Sequence, residues 1–144
     1  MSNRGLVNDV AIVGVGGAGT NIAFCLEKLG YTTIHINSST QDESAIKGAK
    51  NIRHLKGFNG CAGNRALAEK ALAENMDIVD EISALEESIV YVIFSSAGGT
   101  GSGVSTALID MLVEETDKTI CAIVVLPDKD EDFDFHVNSY KCCQ

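Results

Sequence analysis

Two glycine-rich segments of this chain contain the residue types that bind phosphate groups in proteins. Residues 14–21 read GVGGAGTN and residues 95–103 read SSAGGTGSG, and each segment follows an apolar run and precedes a helical pattern. Glycine allows a tight turn and lets the backbone approach a phosphate without a Cβ in the way. The free N–H groups and the dipole at a helix start then favour an anion. Each segment predicts a phosphate-binding loop, and the alternative for the first is a purely structural turn.

The spacing within the first loop does not by itself distinguish a dinucleotide from a nucleoside triphosphate. Gly14, Gly16 and Gly19 match the GxGxxG pattern, which is also typical of NAD-binding domains. Those domains place an acidic residue at the end of the second strand to bind the ribose, whereas the segment INSST has Asn37 at that position. Asn37 is able to bond a sugar hydroxyl or simply to turn the chain. The missing carboxylate argues against NAD.

The second loop favours a nucleotide with several phosphates. Thr100 and Ser102 add hydroxyl groups to its glycines, and a dinucleotide-binding domain does not need a second phosphate loop. Neither loop ends in the Gly-Lys-Ser/Thr of a Walker P-loop, so backbone and hydroxyl groups would hold the phosphates. A third segment, NGCAGN at residues 59–64, also opens a helical pattern. It is either a contact for the terminal phosphate or a helix cap.

The segments around these loops follow a strand–loop–helix–strand order. Apolar runs without alternation are typical of strands buried on both faces of a parallel sheet, and the clearest is IVYVIF at residues 89–94. Other strands are expected at residues 10–13, 33–36 and 119–126 and near Ile52, and helices at residues 21–29, 41–46, 64–82 and 133–144 and after the second loop. This order predicts an α/β fold, a doubly wound, mostly parallel sheet with helices on both faces.

The composition narrows the class of protein. The 144 residues are 45% apolar and 22% charged, which is typical of one soluble globular domain. The net charge of -9 disfavours direct binding to DNA or RNA. The five cysteines lack zinc or redox spacing, which indicates a reducing compartment. No apolar run is long enough to span a membrane, so we expect a cytoplasmic protein without membrane partners.

These motifs, in this order, resemble the tubulin/FtsZ superfamily. The segment AGGTGSG resembles the tubulin motif GGGTGSG, with Ala97 in place of its first glycine, and GVGGAGTN is similar to the first loop of FtsZ. The segment GCAGNRALAEKA resembles the γ-phosphate-sensing loop and following helix of plasmid and phage tubulins such as TubZ and PhuZ. The resemblance covers about residues 10–127, and it implies a Rossmann-like domain that binds GTP and GDP.

The resemblance also implies roles for individual residues. The α- and β-phosphates would be held by Gly16, Gly17, Ala18, Gly19 and Asn21. The β- and γ-phosphates would be wrapped by Ala97, Gly98, Gly99, Thr100, Gly101 and Ser102. The γ-phosphate would be sensed by Ala62, Gly63 and Asn64. The ribose would lie near Asn37 and contact the loop that contains Pro127, Asp128 and Glu131, with Glu131 the best candidate.

Two parts of the family's active site have no counterpart among these residues. The family's guanine-stacking helix and catalytic acidic loop would lie beyond residue 144, so no catalytic residue is assigned in this chain. Ser39 stands where FtsZ has an aspartate, and Asp42 lies nearby. Mg²⁺ is expected with the nucleotide, but the sequence assigns no ligands to it.

The resemblance finally implies a function for the longer protein. Residues 1–144 would form the GTP-binding domain, truncated before the core helix and C-terminal domain, of a GTPase that polymerises head to tail. The next subunit would complete hydrolysis, so this chain alone is expected to be inactive. The expected role is plasmid or phage DNA segregation or positioning in a bacterial host, through a basic DNA-binding adaptor. The alternatives are a cell-division protein of the FtsZ type and the NAD(P)-binding Rossmann domain of an oxidoreductase.

Overall fold

The described part of the chain alternates between strand and helix. The computed structural model describes residues 8–38, 40–55, 65–96 and 99–130, together with residues 136, 137 and 140. In chain order the elements are β1 (Val10–Val15), α1 (Gly16–Glu27), β2 (Thr32–Asn37), α2 (Thr40–Ala45), β3 (Ile52–His54), α3 (Arg65–Ala73), α4 (Met76–Ser83), β4 (Ile89–Ser95), α5 (Gly99–Glu115) and β5 (Thr119–Val125).

The five strands form one sheet in the order β3-β2-β1-β4-β5, and every neighbouring pair is parallel. The chain moves outward from β1 to β2 and β3, then returns to the other side of β1 for β4 and β5. The order of the strands therefore reverses between β1 and β4, where Gly14 is paired with Ile93. Open parallel sheets bind ligands outside the carboxyl ends of the strands at such a point.

Both faces of the inner strands β1, β2 and β4 are covered, as their uninterrupted apolar runs predicted. The apolar run of β5 also predicted a buried strand, and this is wrong, because β5 lies at the edge of the sheet and is largely exposed. On one face, side chains of β1, β2 and β4 pack against α3, α4 and α5 in the larger core cluster. On the other face, α1 packs against β1, β2 and β4, and Ala23 lies in a smaller cluster with Val10, Ile12 and Ile93. A strand between two such layers must be apolar on both sides. The predicted doubly wound α/β class is confirmed.

The prediction of one continuous helix over residues 64–82 is wrong, because the structure has two helices there, α3 and α4. Asn75 lies between them with φ -128° and ψ 39°, outside the helical region. Its side-chain amide donates a hydrogen bond to the carbonyl of Ala71 at 2.8 Å. Asparagine competes in this way with the hydrogen bonds of the helical backbone. The side chain is buried, so the break is part of the core rather than a surface irregularity.

The remaining predicted elements agree with the structure where it describes them. Each predicted strand of the sheet is present within two residues of its predicted ends, and the short strand near Ile52 is β3. The first helix begins at Gly16, inside the predicted loop, and ends at Glu27. Most of the helix predicted at residues 133–144 lies outside the described residues. Within the described ranges, no helix is long and apolar enough to cross a membrane.

Candidate functional site

The two glycine-rich loops lie on either side of the point where the strand order reverses. β1 ends at Val15 and α1 begins at the next residue, whereas β4 ends at Ser95 and α5 begins at Gly99. Because β1 and β4 are parallel neighbours, both helices begin at the same edge of the sheet. The two helices also contact each other. The fold therefore brings two helix N-termini to one edge of the sheet, beside the reversal of strand order, as the loop motifs predicted.

The first loop is a tight turn that only glycine adopts easily. Gly16 has φ 76°, in the left-handed region, and it joins β1 directly to α1. The hydroxyl of Thr20 donates to the carbonyl of Gly16 at 2.8 Å and lies 3.2 Å from that of Gly17. The first N–H groups of a helix have no partner within the helix, and the first turn of α1 contains no acidic residue. This helix start favours an anion over a cation.

Two glycines of the GxGxxG pattern have a packing role that the sequence did not reveal. A Cβ on Gly19 would lie 2.1 Å from the carbonyl oxygen of Ile93 on β4. A Cβ on Gly14 would lie 2.6 Å from both the Cβ of Ala23 and the carbonyl oxygen of Gly19. Real Cβ atoms are essentially never found closer than 3.0 Å to such atoms. Gly14 and Gly19 therefore allow α1 to lie close against the sheet, and the proposed phosphate contact of Gly19 stays a prediction.

Asn37 lies at the carboxyl end of β2, at the same edge of the sheet, and is only 1% exposed. Its side-chain oxygen accepts the N–H of Ser38 at 2.9 Å, and its carbonyl accepts the N–H of Leu55 at 2.8 Å. Asn37 thus turns the chain after β2, which was one of its two predicted roles. It also holds the residue that leads into the third glycine segment. Its contact with a sugar stays a prediction.

The second loop leads into a helix of 17 residues. Gly99, Thr100, Gly101 and Ser102 form the backbone of the first turn of α5, which contains no acidic residue. Ser96, a buried residue that the sequence did not single out, donates its N–H to the carbonyl of Val125 at 3.0 Å. The second loop therefore begins against the end of β5. The only sequence signal for Ser96 was its position directly after an apolar strand.

Several residues that were predicted to contact the nucleotide lie outside the described residues. Pro127 and Asp128, predicted near the ribose, lie at the carboxyl edge of the sheet. Pro127 and Asp128 follow β5, and Asp128 is exposed and accepts the N–H of Asp130 at 3.3 Å. Among the described residues, no group of three or more His, Cys, Asp or Glu side chains could hold a metal ion, so the Mg²⁺ site stays a prediction. The predicted residues outside the described ranges are Ser39, Ala62, Gly63, Asn64, Ala97, Gly98 and Glu131.

Comparison with known proteins identifies relatives that share this arrangement. The family model described as "Tubulin/FtsZ family, GTPase domain" matches residues 9–143. The tubulin-like protein TubZ of a Clostridium botulinum C phage is 30% identical over 141 residues, which are 94% of this chain and 39% of TubZ.

Solved structures agree with the sequence comparison. Phage c-st TubZ of Clostridium botulinum, with its C-terminal tail truncated, has a TM-score of 0.83 at 28% identity, covering 95% of this chain and 47% of that one. A GTPγS-bound protofilament of CetZ2 from Haloferax volcanii has a TM-score of 0.77 at 21% identity, covering 93% of this chain and 44% of CetZ2, and so supports the fold alone. The chain spans less than half the length of each of these relatives.

Proposed function

Because this chain belongs to the tubulin/FtsZ family and matches its GTPase domain, we propose that it binds GTP and GDP in the crevice between α1 and α5. One observation carries the proposal: two glycine-rich helix starts, at Gly16 and Gly99, flank the reversal of strand order between β1 and β4. Two such starts supply N–H groups to a polyphosphate from two sides. Asn37, at the end of the neighbouring strand, contacts the sugar in this proposal, and Mg²⁺ accompanies the phosphates.

The longer protein, in this proposal, is a GTPase that assembles head to tail and completes its active site between subunits. Hydrolysis of GTP needs a positioned water as well as stabilisation of charge on the γ-phosphate. N–H groups at the helix starts stabilise charge on the γ-phosphate. The initial turns of α1 and α5 contain no carboxylate that could position the water. A neighbouring subunit supplies that group. The lack of a carboxylate at both helix starts is the observation that supports assembly of this kind.

The cellular role that we propose is DNA segregation or positioning for a plasmid or phage, in the cytoplasm of a bacterial host. The phage origin of the relative TubZ supports a role of this kind. A net charge of -9 repels the DNA backbone, so a basic adaptor protein connects the filament to DNA in this proposal. Retention of DNA by the purified chain alone, at physiological salt and without an adaptor, would contradict this part.

Calorimetric titration of the chain with GTP, GDP, ATP and NAD, with and without Mg²⁺, tests the ligand. We expect GTP and GDP to bind and NAD not to bind, because β2 ends in Asn37 instead of an acidic residue. Gly99→Val places a bulky side chain at the start of α5 and is expected to abolish GTP binding without unfolding the chain. Val113→Ala is the matched control, since Val113 is a 58% exposed residue of the same helix.

Two results would contradict the ligand assignment. Tight binding of NAD without binding of GTP would place the chain among dinucleotide-binding domains. Unchanged GTP affinity in folded Gly99→Val would remove the second loop from the site.

The dependence of GTP turnover on protein concentration tests assembly of the active site. We expect little phosphate release from this chain at any concentration, because no residue is assigned as the catalytic acid. Fast turnover that is first order in a single chain would show a complete active site within one subunit, and the proposal of hydrolysis between subunits would then be wrong.

A further inference from the structure

His35, a residue of β2 that the proposed nucleotide site does not use, has a completely buried side chain that faces α1. The side chain of His35 has 0% exposure, and its ring meets the ring of Phe24 on α1 edge to face, with 6.4 Å between the centroids. Among the described residues, neither ring nitrogen has a hydrogen-bond partner. Buried polar atoms nearly always have hydrogen-bond partners, so this ring is an exception. Packing against Phe24, rather than hydrogen bonding, holds it in place.

The carboxylate of Glu27 lies beside the ring, at the outer limit of hydrogen-bonding distance. Its oxygen lies 3.5 Å from Nε2 of His35 and accepts the backbone N–H of Lys50 at 3.1 Å. Burial lowers the pKa of His35 from its ordinary value of 6.5, and attraction to Glu27 raises the pKa by a smaller amount. The neutral ring is therefore the form that the folded chain accommodates.

Three other charged groups on the neighbouring elements have partners of their own. Lys28, at the end of α1, lies 4.4 Å above the ring of Phe24. His54 on β3 and Glu43 on α2 form a pair at 2.6 Å between Nδ1 and Oε1. β1 and β2 contain no acidic residue, lysine or arginine. Among the groups that the structure describes, Glu27 is therefore the charged group that contributes to the pKa shift of His35.

We propose that His35 is a pH-sensitive positioning residue, whose neutral ring seats α1 on β2 and whose protonation weakens that packing. α1 carries Gly16 and the first phosphate loop at its other end, so weaker packing of α1 also reduces nucleotide affinity. This second consequence rests on the proposed function. The unfolded chain binds a proton at the ordinary pKa and the folded chain at a lower one, so stability is lost as the pH falls below about 6.5.

The stability part is tested by urea denaturation between pH 8 and pH 5, comparing the wild-type chain with His35→Phe. The unfolding equilibrium constant of the wild type is expected to rise, relative to the variant, by up to about tenfold per pH unit below 6.5. Val113→Ala is the control, because Val113 is 58% exposed and has no titratable group, and it should keep the wild-type dependence. A wild-type curve parallel to that of His35→Phe would overturn the proposal.

The titration of the ring itself tests the proposal if His35→Phe does not fold. We expect the NMR signals of His35 in the native chain to titrate below pH 6.5, and Glu27→Gln to lower that midpoint further, since it removes the carboxylate that opposes the shift. A midpoint at or above 6.5, or one that Glu27→Gln leaves unchanged or raises, would overturn the proposal.

GTP titrations at pH 7.5 and pH 5.5 test the connection to the nucleotide. The wild type should lose affinity at the lower pH, and His35→Phe should lose less. Equal losses would refute the connection between His35 and the nucleotide. Failure of the wild type to bind GTP at either pH would refute the proposed function instead, while denaturation and NMR would still decide the role of His35.

Discussion

Replacing Gly19 by alanine tests whether this glycine is present for packing or for contact with the phosphate. The added Cβ would lie 2.1 Å from the carbonyl oxygen of Ile93 and 3.3 Å from the Cα of Phe94. Both neighbours are backbone atoms of β4, a strand with hydrogen-bonded partners on both sides. They have no side-chain rotation with which to move away, so α1 has to move instead.

The expected loss of stability follows from the size of that movement. Ordinary contact begins at 3.4 Å, so a separation of 2.1 Å requires a shift of about 1.3 Å, the difference between the two. Overpacking of this kind typically costs about 1–3 kcal/mol. Alanine stabilises the helix by about 0.5–1 kcal/mol relative to glycine, because its helix propensity is higher. We therefore expect a net loss of about 0–2.5 kcal/mol, centred near 1 kcal/mol, and each kcal/mol lowers the melting temperature by about 2–4 °C for a domain of this size.

Thermal and urea denaturation measure this loss, and Asn21→Ala is the comparison within the same helix. Asn21 is exposed, so its replacement should change the stability by less than about 0.5 kcal/mol while weakening GTP binding. Gly19→Ala should instead show a clear loss of stability. A Gly19→Ala chain as stable as the wild type, but with weakened GTP binding, would show that the residue contacts the ligand and that the packing argument is wrong.

Three other substitutions test the local structure by urea denaturation. Gly16→Ala should cost about 1–2 kcal/mol because φ is 76°, and unchanged stability would show that this turn relaxes without strain. Lys118→Met should cost about 1–3 kcal/mol, since its ammonium donates to two carbonyls of the turn before β4, and a loss no larger than that of an exposed lysine would contradict this role. Arg53→Ala should cost no more than about 1 kcal/mol, because Arg53 and Glu81 are about one-third exposed. Hydrogen bonding to Arg53 lowers the pKa of Glu81 from 4.5, so this contribution should disappear as the pH falls below that value, whereas a constant difference down to pH 3 would contradict it.

The sequence by itself determined the fold class and the position of the phosphate loops. Apolar runs such as that of β4 predict strands buried on both faces, and the glycines after β1 and β4 mark loops that open helices. These signals are local, because strand burial and helix starts depend on residues close together in the chain. The same local motifs were sufficient to indicate the family that the comparisons then showed.

Only the tertiary structure decided what several of these residues do. Gly19 meets Ile93, and His35 meets Phe24 and Glu27, only because α1 crosses β1, β2 and β4 once the sheet has its order. The break at Asn75 likewise lies within a continuous helical pattern of apolar residues. The physical reason is that steric contact and desolvation depend on neighbours that are distant in the chain. The strand order selects those neighbours, and no local pattern contains it.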